Sequence, residues 1–462
     1  MKKIIKRIAL LILLSALAYG IYYLWVSFPI ISGYGAKNLC SCVFVAGRNE
    51  GQVKQEELGS FPLTLGSFTV NYKDSSVTGK VWGIAEQKAI YRNGFGCTLV
   101  NGLTEKEIRS QQFPDLSFPA SHADTSYWPM GNRVYDTIIT GLKLDKLKAA
   151  VQNAFTETDT TKLKRTRAVV VLYGGQLVAE QYAPGFTKDT RLMGWSMSKS
   201  LAGTLVGMLV KQGKLKVDGP APVPEWKDPK DPRHAITLEN LLQQTSGLDF
   251  EENYGSASEA TNMLFKSADM AAYTAQLPLK EKPGTSFYYS SGNSNILSRI
   301  VRHTTGEKEY HAFPYTALFH KLGMYSMIIE PDASGTFVGS SYSYATARDW
   351  ARFGLFYLRN GNWAGEQLIP EDWVRRITAS DKANPRRNYG YQFWLNGFTD
   401  STQTKRLLPD VPADLFYADG YEGQFVFIIP SKKLVVVRLG LTKGDYFDVN
   451  RFLAGIIAAL PE

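Results

Sequence analysis

The chain has 462 residues, 44% hydrophobic and 21% charged, a globular balance that excludes a disordered protein and suffices for one large domain with extensions or two modest ones. No tandem repeat, long charge run or low-complexity tract is present, which removes solenoid, collagen-like and tail architectures. The net charge of +9 comes from scattered Lys and Arg without a basic stripe, so it argues for solubility or weak attraction to anionic lipid or cell-wall polymer, and against nucleic acid.

The chain opens with basic Lys2, Lys3, Lys6 and Arg7, followed by an apolar run from Ile8 to about Ile31. At about 1.5 Å of rise per residue this run can cross a hydrocarbon core of about 30 Å. A cleaved signal peptide is the alternative, with Ala16–Ala18 as a small-residue site. The apolar run continues past that site through Tyr22, Tyr23, Leu24, Trp25 and Val26, which favours an anchor. The positive flank stays inside, so the chain from Gly33 onward is expected outside the cytoplasm, on the periplasmic side of an inner membrane. Residues 1–32 are thus read as anchor or signal peptide.

Cys40 and Cys42 follow in "NLCSCVFV", and Cys97 in "GFGCTLV". An oxidising compartment permits a disulfide from Cys97 to one of the first two, and Cys40–Cys97 is the pairing expected. The plainer reading makes all three small buried hydrophobes. A C-x-C pair without a second pair or a nearby histidine is not a zinc site.

From Gly33 to about Leu103, short β-forming pieces alternate with Gly and Asn turns, and a stretch with Pro114, Pro119 and Pro129 follows; residues 33–120 read as a β-rich extension and linker. Apolar spacing predicts a helix near Tyr135–Phe155. "RAVVVLYGGQLVAEQY" reads as a hairpin turning at Gly174-Gly175, and "GQFVFIIPSKKLVVVRLGL" as a second one turning at Pro430 to Lys433. "DYFDVNRFLAGIIAALP" closes the chain as an amphipathic helix, and most of the sequence between the hairpins has helical period. The expected class is α+β: an antiparallel sheet completed by both ends of one domain, flanked by helices, with a helical lobe and a groove for a site.

Ser196 and Lys199, in "GWSMSKSL", form the one Ser-x-x-Lys of the chain. Three residues apart on a helix, they share a face, and a crowded lysine amine can activate a serine hydroxyl that is a poor nucleophile by itself. The N–H groups of the helix start can also stabilise negative charge on an attacked carbonyl. By spacing alone, a solvent-facing Ser and Lys would look the same. In "KPGTSFYYSSGNSNILSRIV", Tyr289 stands in a polar loop before a helix, where an adjacent ammonium favours the phenolate and proton transfer; as packing aromatics, Tyr288 and Tyr289 need no such role. In "FYADGYEGQFVFIIP", Gly420 and Gly423 let backbone N–H groups approach a ligand, although a turn before an edge strand reads the same way.

In order and approximate spacing these segments resemble the serine β-lactamase and penicillin-binding-protein superfamily, most closely the class C-like hydrolases that include D-amino-acid peptidases, esterases and 6-aminohexanoate-dimer hydrolases. Ser196 and Lys199 match the family's Ser-x-x-Lys, and Tyr289, six residues after the Pro of "PGT", matches its tyrosine. "LLQQTSGL", "TARDWARFG", "NYGYQFWL" and "PSKKLVVVRLG" are similar to further landmarks. The resemblance runs from about Thr166 to Leu460 and implies a β-lactamase/transpeptidase-like fold over a hydrolase domain at 121–462. It also implies an acyl-enzyme on Ser196, with Lys199 and Tyr289 moving the proton and Tyr421 N–H as second oxyanion donor. Small esters, amides or short peptides are the implied substrates, and no cofactor or metal is implied. The alternatives are a D-amino-acid cell-wall peptidase or a non-catalytic binding module on the same fold.

Two departures narrow this. Where class C enzymes have Tyr-x-Asn, this chain has "YSSGN", so Ser291 replaces the substrate-binding amide and Asn293 lies two residues on. Where β-lactamases have Lys-Thr-Gly, the match is Ala418-Asp419-Gly420. Asp419 would repel a penicillin carboxylate by on the order of 1 to 4 kcal/mol. Efficient β-lactam hydrolysis is therefore not expected, and an amine-bearing substrate fits that strand better. The five histidines, His122, His234, His303, His311 and His320, sit in unrelated contexts that mark no Ser-His-Asp triad. No HExxH, carboxylate pair or phosphate loop points to a metal or nucleotide.

Overall fold

The computed structural model describes residues 2–112, 114, 116, 125–135 and 139–461. Pro119, His122 and positions 136–138 of the helix expected from Tyr135 lie outside them. The chain forms two compact units: Met1–Gln111 with Glu251–Asp269 and Asp332–Gly335, and Gln112–Phe250 with Met270–Pro331 and Thr336–Glu462.

In the first unit, helix α1 (Lys2–Cys40) stands beside a four-stranded antiparallel sheet of β1 (Gly66–Asn71), β2 (Ser76–Val81), β3 (Ile84–Arg92) and β4 (Gly96–Leu99), in that order. The helix is exposed from Lys2 through Trp25, then buries Phe28, Ile31 and most of its remaining length. It is long and apolar enough to span a membrane or to be a signal sequence. The β-rich segment expected from Gly33 begins only at Gly66, because "SGYGAKNLC" continues the helix. Small residues allow that: a Cβ on Gly79 of β2 would lie 2.5 Å from the Ser32 carbonyl oxygen, so helix and sheet touch backbone to backbone. A Cys40–Cys97 disulfide, Cα atoms 6.1 Å apart, ties α1 to β4, and Cys42 is buried outside it. The segment from 251 to 269 joins this unit through Asn101, whose amide donates to the Phe265 carbonyl at 3.0 Å.

In the second unit the helix expected from Tyr135 starts at Leu144 (α2, Leu144–Phe155). The "GG" hairpin forms β5 (Thr166–Tyr173) and β6 (Gln176–Tyr182), with Gly174 and Gly175 at φ 58° and 83°, the left-handed pair its turn requires. Helices α3 (Met197–Lys211), α4 (Ser291–Thr305) and α5 (Ala347–Leu358) precede β7 (Trp394–Leu395), β8 (Phe416–Gly420), β9 (Gln424–Ile429) and β10 (Leu434–Gly440), and α6 (Val449–Ile457) ends the chain. The sheet order is β7-β8-β9-β10-β5-β6, antiparallel throughout, so the two ends of the unit meet at the β10–β5 pairing. Both of these strands are buried along nearly their whole length, which is why "RAVVVLY" and "LVVVRLG" read as continuous apolar runs. One sheet face packs Val169, Val171, Phe427 and Val436 against Leu147 and Val151 of α2 and Leu453 and Ile456 of α6. Each such side chain contributes roughly 1.5–3 kcal/mol when fully buried. On the other face, Gly354 of α5 sits against Val435 and Val426.

Candidate active site

Ser196 is the N-cap residue of α3, yet its side chain makes no capping hydrogen bond. A serine there ordinarily accepts from the N–H two or three residues on. Here the hydroxyl instead accepts from Lys199 Nζ at 3.1 Å. The preceding Trp195 holds φ at 48°, a left-handed conformation costly for a bulky residue, on the order of 1–3 kcal/mol. That turn is pinned from behind. Gly194 N–H donates to the Ser343 carbonyl at 2.7 Å, Ser198 Oγ lies 2.6 Å from Ser343 Oγ, and Leu192-Met193 pairs with Tyr344-Ala345.

Lys199 is 1% exposed. Besides Ser196 Oγ, its ammonium donates to Ser291 Oγ at 3.0 Å and to the Ser340 carbonyl at 3.0 Å, and it lies 4.8 Å from the centroid of the Tyr289 ring. Three oxygens and an aromatic face compensate its removal from water. Ser340 is itself fixed by its N–H donating to Asn295 Oδ1 at 3.1 Å.

Tyr289 is half-buried between Trp394 and Tyr389, ring centroids 5.2 and 5.8 Å away. Its loop is held by a buried amide network. Gln244 Oε1 accepts from Ser290 N–H at 3.1 Å and Asn293 Nδ2 at 2.8 Å, and Gln244 O accepts from Tyr288 N–H at 2.9 Å. Ser246 Oγ donates to Asn293 Oδ1 at 2.8 Å, while Ser294 Oγ donates to Gln392 Oε1 at 2.7 Å. Gln244 and Gln392 both hold φ near +60°. Asn293 is 1% exposed with both ends of its amide engaged here, so it braces the Tyr289 loop, and among the described residues no hydrogen bond joins it to Ser196. Ser291, by contrast, reaches Lys199 directly.

Strand β8 closes the other side. A Cβ on Gly420 would overlap the Gly194 carbonyl oxygen, so the strand end meets the turn before Ser196 at backbone contact. Tyr421, 59% exposed, lies edge-on to Trp195 with centroids 5.7 Å apart. Neither the Ser196 nor the Tyr421 N–H donates to a backbone carbonyl among the described residues. Burial pushes the Asp419 carboxyl up to about 7, with the Lys199 charge opposing.

The loop after Gly420 is anchored by Arg438, a residue not singled out from sequence. Fully buried on β10, it donates to the Gly423 carbonyl at 2.6 Å, the Lys164 carbonyl at 2.7 Å and Thr442 Oγ1 at 2.7 Å. Burial pulls its pKa down to about 9, which leaves it charged at neutral pH. Trp394, Gln244, Gln392 and the Ser340 carbonyl are likewise unmarked by sequence, although Gln244 falls inside the family-like landmark "LLQQTSGL" and Gln392 and Trp394 inside "NYGYQFWL". Among the described residues no histidine contacts Ser196, and His234 Nδ1 is paired with the Trp226 carbonyl at 2.8 Å.

An antiparallel sheet closed by both ends of its unit, with a helix-borne Ser-x-x-Lys against β8, defines a hydrolase of the serine β-lactamase fold. A family model described as Beta-lactamase matches residues 151–458. The chain is 27% identical over 336 residues to the 6-aminohexanoate-dimer hydrolase of Paenarthrobacter ureafaciens, the match covering 63% of this chain and 79% of that one. Its fold resembles a family VIII carboxylesterase, with TM-score 0.54, 16% identity and 70% and 98% of the two chains covered. It also resembles a penicillin-binding protein homologue from Caulobacter crescentus, with TM-score 0.53, 17% identity and 70% and 100% covered. The chain belongs to the Beta-lactamase family, as its motifs implied.

Proposed function

We propose that this protein is a membrane-anchored, extracytoplasmic serine hydrolase that cleaves a small ester or amide through an acyl-enzyme on Ser196. The contact that carries the reading is the 3.1 Å approach of buried Lys199 Nζ to a Ser196 hydroxyl that its own helix leaves uncapped. Ser196 Oγ attacks the carbonyl carbon, and its proton passes to the Lys199–Tyr289 pair. The N–H groups of Ser196 and Tyr421 receive the charge that develops on the carbonyl oxygen. The C–O or C–N bond breaks as Tyr289 returns the proton to the leaving oxygen or nitrogen. Water then adds to the acyl carbon, the bond to Oγ breaks, and Ser196 regains its proton. Lys199 and Ser291 keep Tyr289 and Ser196 in register throughout.

A linear amide of the kind named for the 6-aminohexanoate-dimer relative fits this site better than a penicillin, because Ala418-Asp419-Gly420 resembles the Lys-Thr-Gly that meets a penicillin carboxylate, with an acid in place of the threonine. The basic residues in the first turns of α1 support a cytoplasmic N-terminus with the hydrolase unit outside. Labelling with a fluorophosphonate tests the proposal: the full chain takes one equivalent, and Ser196→Ala takes none while keeping its melting temperature. Undiminished labelling of Ser196→Ala removes the assignment.

A further inference from the structure

Asp419 is an acid without a counter-ion. No hydrogen bond or ion pair reaches its carboxylate among the described residues, and the residue is half-buried. Lys199, the nearby cation, has its protons committed to Ser196, Ser291 and Ser340. By strand register Trp394 pairs with Tyr417, and Asp419 lies two residues beyond Tyr417, so all three side chains share one face of the sheet. Trp394 lies tilted against Tyr289, ring centroids 5.2 Å apart, and exposed Tyr421 stands on the far side of Gly420. A carboxylate on the strand that carries a proposed oxyanion donor, sharing a sheet face with Tyr417 and Trp394, is suited to an organic cation, since ring faces and acid attract the same charge.

We propose that Asp419 is the counter-ion of an ammonium group on the substrate, so that the site selects esters or amides carrying a protonated amine near the scissile bond. This rests on Ser196 being the nucleophile. Two fluorophosphonates of equal length, one ending in a primary ammonium and one in a methyl group, test it by their rates of labelling. The wild type reacts roughly tenfold faster with the ammonium probe, the scale of one partly desolvated charge pair. That preference disappears in Asp419→Asn and inverts in Asp419→Lys. Equal rates in the wild type, or a preference that survives Asp419→Asn, overturns the proposal while leaving the nucleophile in place. Absence of labelling by either probe removes the nucleophile itself, and this proposal with it.

The first unit carries a surface of a different kind. The switch of α1 from exposed to buried falls at Val26 to Phe28, so Ile8 through Ser27 is the stretch free to meet lipid, and at about 1.5 Å per residue it spans about 30 Å. At that level Phe28 packs with Ile31, Val81, Leu63 and Leu65, and its ring meets Trp82 edge-on at 5.0 Å. Around this collar three large apolar side chains face outward: Phe61 is 79% exposed, Trp82 65% and Ile84 57%. Trp82 occupies a hairpin tip at φ 51°, where turns ordinarily carry Gly, Asn or Asp. The geometry points to a bilayer-seated collar: Phe61, Trp82 and Ile84 dip into the interface of the membrane that α1 crosses, as aromatic belts do. The full chain in phosphatidylcholine/phosphatidylglycerol vesicles with brominated acyl chains tests this. Tryptophan quenching falls in Trp82→Ser relative to wild type. Equal quenching in a chain that stays with the vesicles through a carbonate wash overturns the collar alone; a chain washed off the vesicles overturns collar and anchor together.

Discussion

Gly420 meets Gly194 at backbone contact, leaving no room for a side chain between the end of β8 and the turn that presents Ser196. In Gly420→Ala the new Cβ would have to displace either the Gly194 carbonyl or the strand end, and with it the Tyr421 N–H. Loss of one oxyanion donor typically costs on the order of 10²–10³ in kcat. Steady-state kinetics on a p-nitrophenyl ester are expected to show a fall of that order in kcat, with a smaller change in KM.

Ser291→Ala removes one of the three oxygens that hold the Lys199 ammonium. A hydrogen bond to a charged group is worth roughly 1.5–3 kcal/mol, so kcat/KM is expected to drop roughly 10- to 100-fold. Because Lys199 is affected before Ser196, the pH–rate profile moves as well. Ser291→Thr, which keeps the hydroxyl, restores most of the activity; an unmoved pH profile would leave Ser291 a packing residue.

Asp419 carries a stability cost with a definite sign. Its carboxyl titrates near 7 in the folded chain against an ordinary 3.8, mainly through burial, so the folded state holds a proton that the unfolded chain has released between about pH 4 and 7. Stability therefore falls as pH rises through that window. Asp419→Asn is expected to melt roughly 2–4 °C above wild type at pH 8 and level with it at pH 4, read by calorimetry. The charged group facing it is Lys199; the Tyr417 phenol on its own strand, raised by burial and by Asp419, stays neutral.

Arg438→Met removes the donors that fix the Gly423 and Lys164 carbonyls. The Gly423 carbonyl loses its donor at a cost on the order of 1–3 kcal/mol, while the Lys164 carbonyl keeps the Thr442 hydroxyl. A lower melting temperature with a disproportionate fall in kcat is expected. Arg438→Lys should recover stability more than rate, since one ammonium cannot span the same fork of acceptors.

Features that lie close along the chain were legible in advance. Three residues of helix fix Ser196 beside Lys199, and two glycines fix the β5–β6 turn, so spacing alone suffices for both. The continuous apolar runs of β5 and β10 likewise announced central strands. The rest depends on contacts between distant segments. Nothing near Gln244 or Gln392 indicates that they meet around Ser294, or that the Asn293 amide bonds Gln244 and Ser246. The end of the apolar N-terminal run was misleading for a related reason: Phe28 and Ile31 belong to a protein core made by β2 and the loop at Leu63, and hydropathy does not separate lipid from protein interior.

The most direct measurement is rapid-quench intact-mass analysis of the full chain with p-nitrophenyl acetate, followed by peptide mapping. One acetyl group is predicted on the peptide containing Ser196, accumulating within the first turnover, absent in Ser196→Ala and strongly slowed in Lys199→Ala. Ester hydrolysis that proceeds with no adduct, or with the acetyl group on another residue, would contradict the acyl-enzyme on Ser196.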